Sequence, residues 1–258
     1  MVFPDTPRVI YQRNPLAEVI CQLRFPTDLR IAAAQPADFQ HRIRDQYPEY
    51  KQRTEVPFVV PADATVQPSN TAHDFITSDK LWTVTLQSGF IALTCRLYTR
   101  WEEFRARMDQ IVSALSEAYS PPYVTRTGLR YRDIIDVADL GVGDVPLPHL
   151  VNPALAAEFS VECLQTRVRE SQHRVVVQLG SPGPLLALQY GWVVGLKPAG
   201  PCFVVDADFY DERAVPLSTT LRLLDEWNGE AGRMFRWVVQ DALRDALGPK
   251  PLNDEVGL

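Results

Sequence analysis

The chain has 258 residues, with 26 Lys and Arg against 32 Asp and Glu, four His, four Cys and a formal net charge of -6. At 46% hydrophobic and 22% charged residues it is ordinary globular material, long enough for one large domain or two small ones, which excludes wholesale disorder. The negative balance argues against general nucleic-acid binding. No apolar run reaches the roughly 18–20 residues of a membrane span, and the opening Met1-Val2-Phe3-Pro4-Asp5 has no signal-peptide pattern, so a cytoplasmic protein is expected.

Along the chain, Ala17, Val19, Cys21, Leu23 and Phe25 alternate with mostly polar residues, which predicts a strand with one buried face, closed by Pro26. Pro36 to Tyr47 predicts a short helix with Phe39, Ile43 and Tyr47 on one stripe, stopped by Pro48. Val56 to Pro61 reads as a short extended piece and residues 67–73 as a polar loop. Strands are expected over His73–Ser78, Leu81–Gln87 and Phe90–Tyr98. The short turns Ser78-Asp79-Lys80 and Ser88-Gly89 make them antiparallel neighbours. Thr99 to Tyr119 predicts a long helix with a Thr99/Glu102 capping box. Its apolar face runs through Trp101, Phe104, Met108, Ile111, Val112, Leu115 and Tyr119, and Pro121-Pro122 ends it.

Tyr123 to Val137 predicts a further strand, with Arg126, Arg130 and Arg132 on one face and Leu129 and Tyr131 on the other. Residues 138–153, rich in Gly and Pro, read as a joint between an N-terminal half, 1–145, and a C-terminal half, 146–258. Strands follow over Phe159–Glu170, Arg174–Leu179, Leu185–Val194 and Cys202–Tyr210, with turns at Gly180-Ser181-Pro182-Gly183 and over 198–201. The segment from Leu217 to Leu247 predicts a helix that Gly229 and Gly232 kink or split, and residues 249–258 read as a loose tail. The class is α+β: mostly antiparallel sheet packed against two long amphipathic helices. Ala17-Glu18 echoed by Ala157-Glu158, and Leu97-Tyr98 by Phe209-Tyr210, suggest a duplicated half sharing one core. Cys21, Cys95, Cys163 and Cys202 form no C-x-x-C pair and read as buried, reduced thiols.

Four pieces of the chain resemble a known group of proteins. They are Tyr11-x-x-Asn14-Pro15-Leu16-x-Glu18-Val19-Ile20-Cys21-x-Leu23-Arg24-Phe25, Tyr98-x-x-Trp101-x-x-Phe104, Thr125-Arg126-x-Gly128-Leu129-Arg130-Tyr131, and Asp206-x-Asp208-x-Tyr210 followed by Leu224-x-x-Trp227 to Phe235. Together they are similar to a family of sporadically distributed bacterial proteins of about this length with no established activity. An Asn tends to follow that family's Gly-Leu-Arg-Tyr piece, whereas Asp133 stands at the nearest place here. The resemblance implies full-length homology, a bacterial source and an accessory role, including defence-linked ones, but it transfers no catalytic residue.

Three cations on one strand face repel unless something negative faces them. Arg126, Arg130 and Arg132, with Arg24 and the Asp206/Asp208 pair as candidate neighbours, read either as a salt-bridge network or as an anion pocket for a carboxylate, a phosphate or an acidic peptide. Asp206-x-Asp208 could hold Mg²⁺ only with further ligands, and pairing with the arginines is the favoured reading. His41, His73, His149 and His173 form no metal or catalytic pattern, and no cofactor loop or nucleophile elbow is present. Trp227 and Trp237 could line a groove or interface. The expected function is a non-enzymatic binding or accessory protein for an anionic ligand or acidic partner segment, with no cofactor, metal or membrane and with self-association open. The rival is a small-molecule enzyme using Asp206, Asp208 and Arg130 in a pocket between sheet and helices. A structural subunit of a larger complex is the third reading.

Overall fold

The computed structural model describes residues 2–55, 70–197 and 200–251. The extended piece over 56–61, the start of the predicted loop at 67–69 and the tail beyond 251 lie outside them. In chain order the elements are β1 (Val9–Tyr11), β2 (Leu16–Arg24), α1 (Leu29–Ala33), α2 (Ala37–Ile43), β3 (Glu49–Glu55), β4 (Asn70–Ile76), β5 (Trp82–Gln87), β6 (Phe90–Cys95), α3 (Trp101–Tyr119) and β7 (Arg126–Ile135). There follow α4 (Leu147–Leu150), 3₁₀ turns at Pro153–Leu155 and Ala157–Ser160, β8 (His173–Gln178), β9 (Leu185–Lys197), β10 (Gly200–Asp211), α5 (Leu217–Val238), α6 (Asp241–Leu247) and β11 (Pro249–Pro251). The class is α+β with a mostly antiparallel sheet. The chain forms two compact units, neither of which ends at residue 145. Unit 1 comprises Met1–Ala17, Arg130–Phe209 and Glu226–Leu258, and unit 2 comprises Glu18–Leu129 and Tyr210–Asp225.

In unit 2 the strands lie in the order β3-β4-β5-β6-β2, antiparallel at each step. Alternation puts Val19, Cys21 and Leu23 of β2 on the inner face, all fully buried, with Val84, Leu86, Ile91 and Leu93 of the neighbouring strands. Helices α2 and α3 cover that face, as the Phe39–Phe75 and Trp82–Phe104 ring contacts at 5.4 and 5.7 Å show. Helix α3 buries Trp101, Phe104, Met108, Ile111, Val112, Ala114 and Leu115, the stripe its period predicts. Its start differs from expectation. Arg100 is the N-cap and no side chain caps it, because the Thr99 hydroxyl donates to Glu103 (3.2 Å) and no Thr99/Glu102 box forms. Ser120 ends the helix in the left-handed region (φ 48°), its N–H bonded to Leu115 and Ser116 carbonyls.

In unit 1 the strands lie in the order β7-β10-β9-β8, and β1 pairs with β11 in a separate antiparallel ribbon. Tyr131 and Ile135 of β7, Phe203, Val205, Ala207 and Phe209 of β10, and Leu186 and Leu188 of β9 are buried. The Tyr131 hydroxyl donates to Asn228 Oδ1 of α5 at 3.0 Å. Four expectations are corrected here. The helix over 217–247 is two helices that part at Val239-Gln240, where Val239 bridges Val151 and Gln240 N–H bonds the Leu150 carbonyl (2.9 Å). Gly229 and Gly232 stay inside α5. The strand over 159–170 is absent; a 3₁₀ turn and successive turns replace it, and Cys163 is exposed while Cys21, Cys95 and Cys202 are buried, all four free. The joint over 138–153 lies within unit 1 and contributes Leu147, Leu150 and Val151 to its core.

An element order recurs along the chain. Strand β2 leads through α1 and α2 to β4, β5, β6 and long helix α3; β7 leads through α4 and 3₁₀ turns to β8, β9, β10 and α5. In each set the last of the three strands lies beside the opening one, β6 beside β2 and β10 beside β7. Strand β3 has no counterpart in the second set. Among the described residues no helix is long and apolar enough to cross a membrane.

Candidate functional site

The strand β7 alternates as its sequence predicts. Arg126, Gly128, Arg130 and Arg132 share one face; Thr127, Leu129, Tyr131 and Asp133 share the buried one. The arginines then part company. The Arg126 guanidinium lies over the Tyr210 ring (4.9 Å), in the space a Gly128 side chain would fill. Arg130 forms a two-pronged ion pair with Asp206 of β10, Nε at 2.6 Å and Nη2 at 2.5 Å. Asp206 is only 13% exposed in its side chain against 43% for Arg130, so the pair neutralises a carboxylate that is mostly withdrawn from water. Arg132 makes no ion pair or hydrogen bond among the described residues.

Arg132 and Asp206 instead line a concavity of about 410 Å³ together with His173, Arg174, Gln189 and Tyr190, and with the apolar Val193, Leu196 and Val204. The β8–β9 hairpin builds this wall. Its register sets His173 opposite Tyr190 and Arg174 opposite Gln189. The His173 and Tyr190 rings stack at 5.0 Å. His173 Nε2 meets Glu158 Oε1 at 3.1 Å. Partial burial opposes ionisation of Glu158, but the Ser171 hydroxyl, a backbone N–H and His173 outweigh it and hold the carboxyl below its usual range. Gly191 is required by close approach, since an added Cβ would sit 2.8 Å from the Ser171 carbonyl carbon and nearer still to its oxygen. Arg174, like Arg132, has no ion-pair or hydrogen-bond partner among the described residues. A ligand here meets two unspent guanidinium groups, the amides of Gln172 and Gln189, the Asp206 carboxylate held by Arg130, and an apolar side.

The six expected site residues are thus not one cluster. Arg132 and Asp206 line the concavity; Arg130 adjoins it through Asp206. Asp208 shares the Asp206 face two residues on and does not line it. Arg24 is in unit 2, where its Nε donates to Gln22 (3.0 Å), and Arg126 is in unit 2 with Tyr210. Trp227 is 2% exposed and is core in α5. Trp237 packs its ring on Phe3 at 5.6 Å. Sequence reasoning missed His173, Arg174, Gln189 and Tyr190. On the buried face Asp133 is pushed up to about 8 by its burial, with the Asp206 charge adding to the effect. No group of three or more His, Cys, Asp or Glu among the described residues could hold a metal ion.

Unit 2 carries a larger hollow of about 570 Å³ between α2 and α3, lined by His41, Arg42, Asp109 and Glu117 among others. Its one arginine is already paired with Glu117 and Asp38, which leaves no unspent cation there.

No protein-family model matches this chain, and no curated protein matches it. Among solved structures, the crystal structure of the di-domain ARO/CYC StfQ from the steffimycin biosynthetic pathway aligns with 88% of this chain and 98% of its own at 9% identity and a TM-score of 0.18. A superposition that poor carries no argument about fold or activity.

Proposed function

We propose that this chain is a non-enzymatic binding protein, an accessory component of a bacterial operon-encoded system, that recognises an anionic ligand or an acidic partner segment through the concavity of unit 1. The observation that supports this reading is the contrast between neighbouring arginines. Arg130 is spent on Asp206, whereas Arg132 and Arg174 line the same hollow with no acidic partner. Guanidinium groups held without a counter-ion beside amides and apolar wall favour a carboxylate or phosphate that brings its own body. Citrate and inorganic phosphate are suitable probes in thermal-shift and calorimetric titrations. A ligand at 100 times its Kd adds about 2.7 kcal/mol, so the melting temperature of the wild type rises by several degrees. In Arg132→Ala and Arg174→Ala that rise shrinks while the unliganded melting temperature stays put. Equal ligand response in wild type and both variants sinks the reading.

A further inference from the structure

We propose that β8 is a docking edge that takes an extended acidic segment of a partner protein as an added strand, an inference that deepens and rests on the anion-binding reading above. Among the described residues β8 has β9 on one side and no strand on the other. In the recurring element order its counterpart is β4, and β4 is covered by β3. Among the described residues, no strand fills in the second set the seat that β3 fills in the first. The two outer strands also differ in chemistry. Strand β3 reads Glu-Tyr-Lys-Gln-Arg-Thr-Glu, with charges of both signs, the usual protection of an edge. Strand β8 carries Val175-Val176-Val177 at its centre, with Val175 and Val176 each 45% exposed on opposite faces. Six of the ten exposed large apolar residues described fall between 161 and 196: Val161, Leu164, Val175, Val176, Val194 and Leu196. On β8 itself the exposed pair Val175 and Val176 leaves an apolar side chain on each face of the edge strand for an added strand to cover.

The backbone of β8 is phased for pairing. Ser171 N–H bonds the Trp192 carbonyl and Leu179 N–H the Pro184 carbonyl, both at 2.9 Å. In an antiparallel pair alternate residues exchange both bonds, so His173, Val175 and Val177 turn their N–H and C=O toward β9. Gln172, Arg174, Val176 and Gln178 turn theirs to the free side. Charge selects the occupant. Arg174 on the strand and Arg167 and Arg169 in the segment leading to it make no ion pair among the described residues, and these three cations outnumber Glu162 and Glu170 of the same segment, Glu158 being held by His173. A second copy paired along β8 would gather these cations, which disfavours self-association; an acidic strand matches them. Opposite Val175 and Val176 it presents two consecutive apolar residues, and opposite Arg174 an Asp or Glu.

The test is fluorescence anisotropy of the full chain with a labelled peptide of about ten residues built on Glu-Val-Val repeats, alongside the citrate titration. Three peptide controls are a copy with Lys for Glu and copies N-methylated on each alternate set of residues. The variants are Val176→Pro, whose lost N–H faces outward so that no bond to β9 is given up, and Arg174→Glu. The expected result is saturable binding that weakens at least about tenfold, or 1.4 kcal/mol, for the Lys copy, for one N-methylated copy, for Val176→Pro and for Arg174→Glu. Citrate stabilisation stays intact in Val176→Pro. Parent-like affinity of both N-methylated copies overturns strand addition while leaving the anion reading standing, and that arm needs no variant to fold. Absence of binding by any peptide, or a wild-type dimer in sedimentation that Val176→Pro dissolves, also overturns it. Loss of citrate response in every protein form, wild type included, is the separate failure of the underlying reading.

Discussion

Gly191→Ala tests whether the concavity is set by backbone contact between β8 and β9. The new methyl would stand 2.8 Å from the carbonyl carbon of Ser171 and 3.0 Å from Gln172 Cα, and closer to the Ser171 oxygen. These are main-chain atoms and cannot rotate away. Holding the register then costs about 1–3 kcal/mol of overpacking. Alternatively the start of β8 peels off. That forfeits the Ser171 N–H to Trp192 carbonyl bond (2.9 Å) and the Trp192 N–H to Ser171 hydroxyl bond (3.3 Å), at about 1 kcal/mol each. The stiffer unfolded chain of alanine returns about 0.4–1 kcal/mol. The net loss is about 1–2 kcal/mol, or a melting temperature lower by about 2–8 °C at this chain length. Calorimetry measures the shift, and hydrogen exchange reports faster opening at residues 171–173. Gly89→Ala is the control, since its nearest neighbour would be the Phe25 carbonyl oxygen at 3.9 Å. A Gly191→Ala protein that melts within a degree of wild type with unchanged exchange at Ser171 refutes the reasoning.

Arg130→Ala and Arg132→Ala should differ. The first strands the mostly buried Asp206 carboxylate and costs about 1–3 kcal/mol in urea unfolding, while the second stays within about 0.5 kcal/mol; equal effects would contradict the pairing described. Asp133→Asn should flatten the pH dependence of stability. Burial first, and the Asp206 charge second, raise the folded carboxyl to about 8, so between the unfolded value near 4 and about 8 the unfolded chain releases a proton that the folded one keeps. Stability therefore falls as pH rises through that window, by up to about 1.4 kcal/mol per unit, and levels off above it. Urea midpoints at pH 5 and 8 should diverge in wild type and converge in Asp133→Asn. Phe104→Ala removes a fully buried ring packed on Trp82 and Trp101 and should cost about 3–5 kcal/mol, measured by denaturant unfolding.

Much of the fold is legible because period and burial agree. Val19, Cys21 and Leu23 alternate and are all buried, and the stripe of α3 is the one its sequence presents. The failures have physical causes. Strands β1 and β11 are three residues each, below any window in which alternation can be counted, and β11 is two-thirds proline. Phe159 and Val161 alternate like a strand, but a 3₁₀ turn covers Ala157–Ser160 and the chain goes on turning. The break after α5 leaves no glycine signal because a bridge from Val239 to Val151, distant in sequence, makes it. For the site, alternation put Arg126, Arg130 and Arg132 on one face but could not say which of them a carboxylate from another strand would claim. The His173–Tyr190 pairing did have a signal. A hairpin turning about Gly180-Ser181-Pro182-Gly183 sets those two residues opposite each other, and counting outward from that turn would have found them.

The three-part make-up of unit 1 and the two-part make-up of unit 2 bear on any attempt to dissect the molecule. The boundaries at 17/18, 129/130, 209/210 and 225/226 fall inside β2, β7, β10 and α5, so no single scission releases either unit whole. Truncation at residue 145 would remove β8, β9 and β10 from unit 1 and strand β7 without them. Anyone wishing to express the concavity by itself must splice three stretches of polypeptide together, not trim one end.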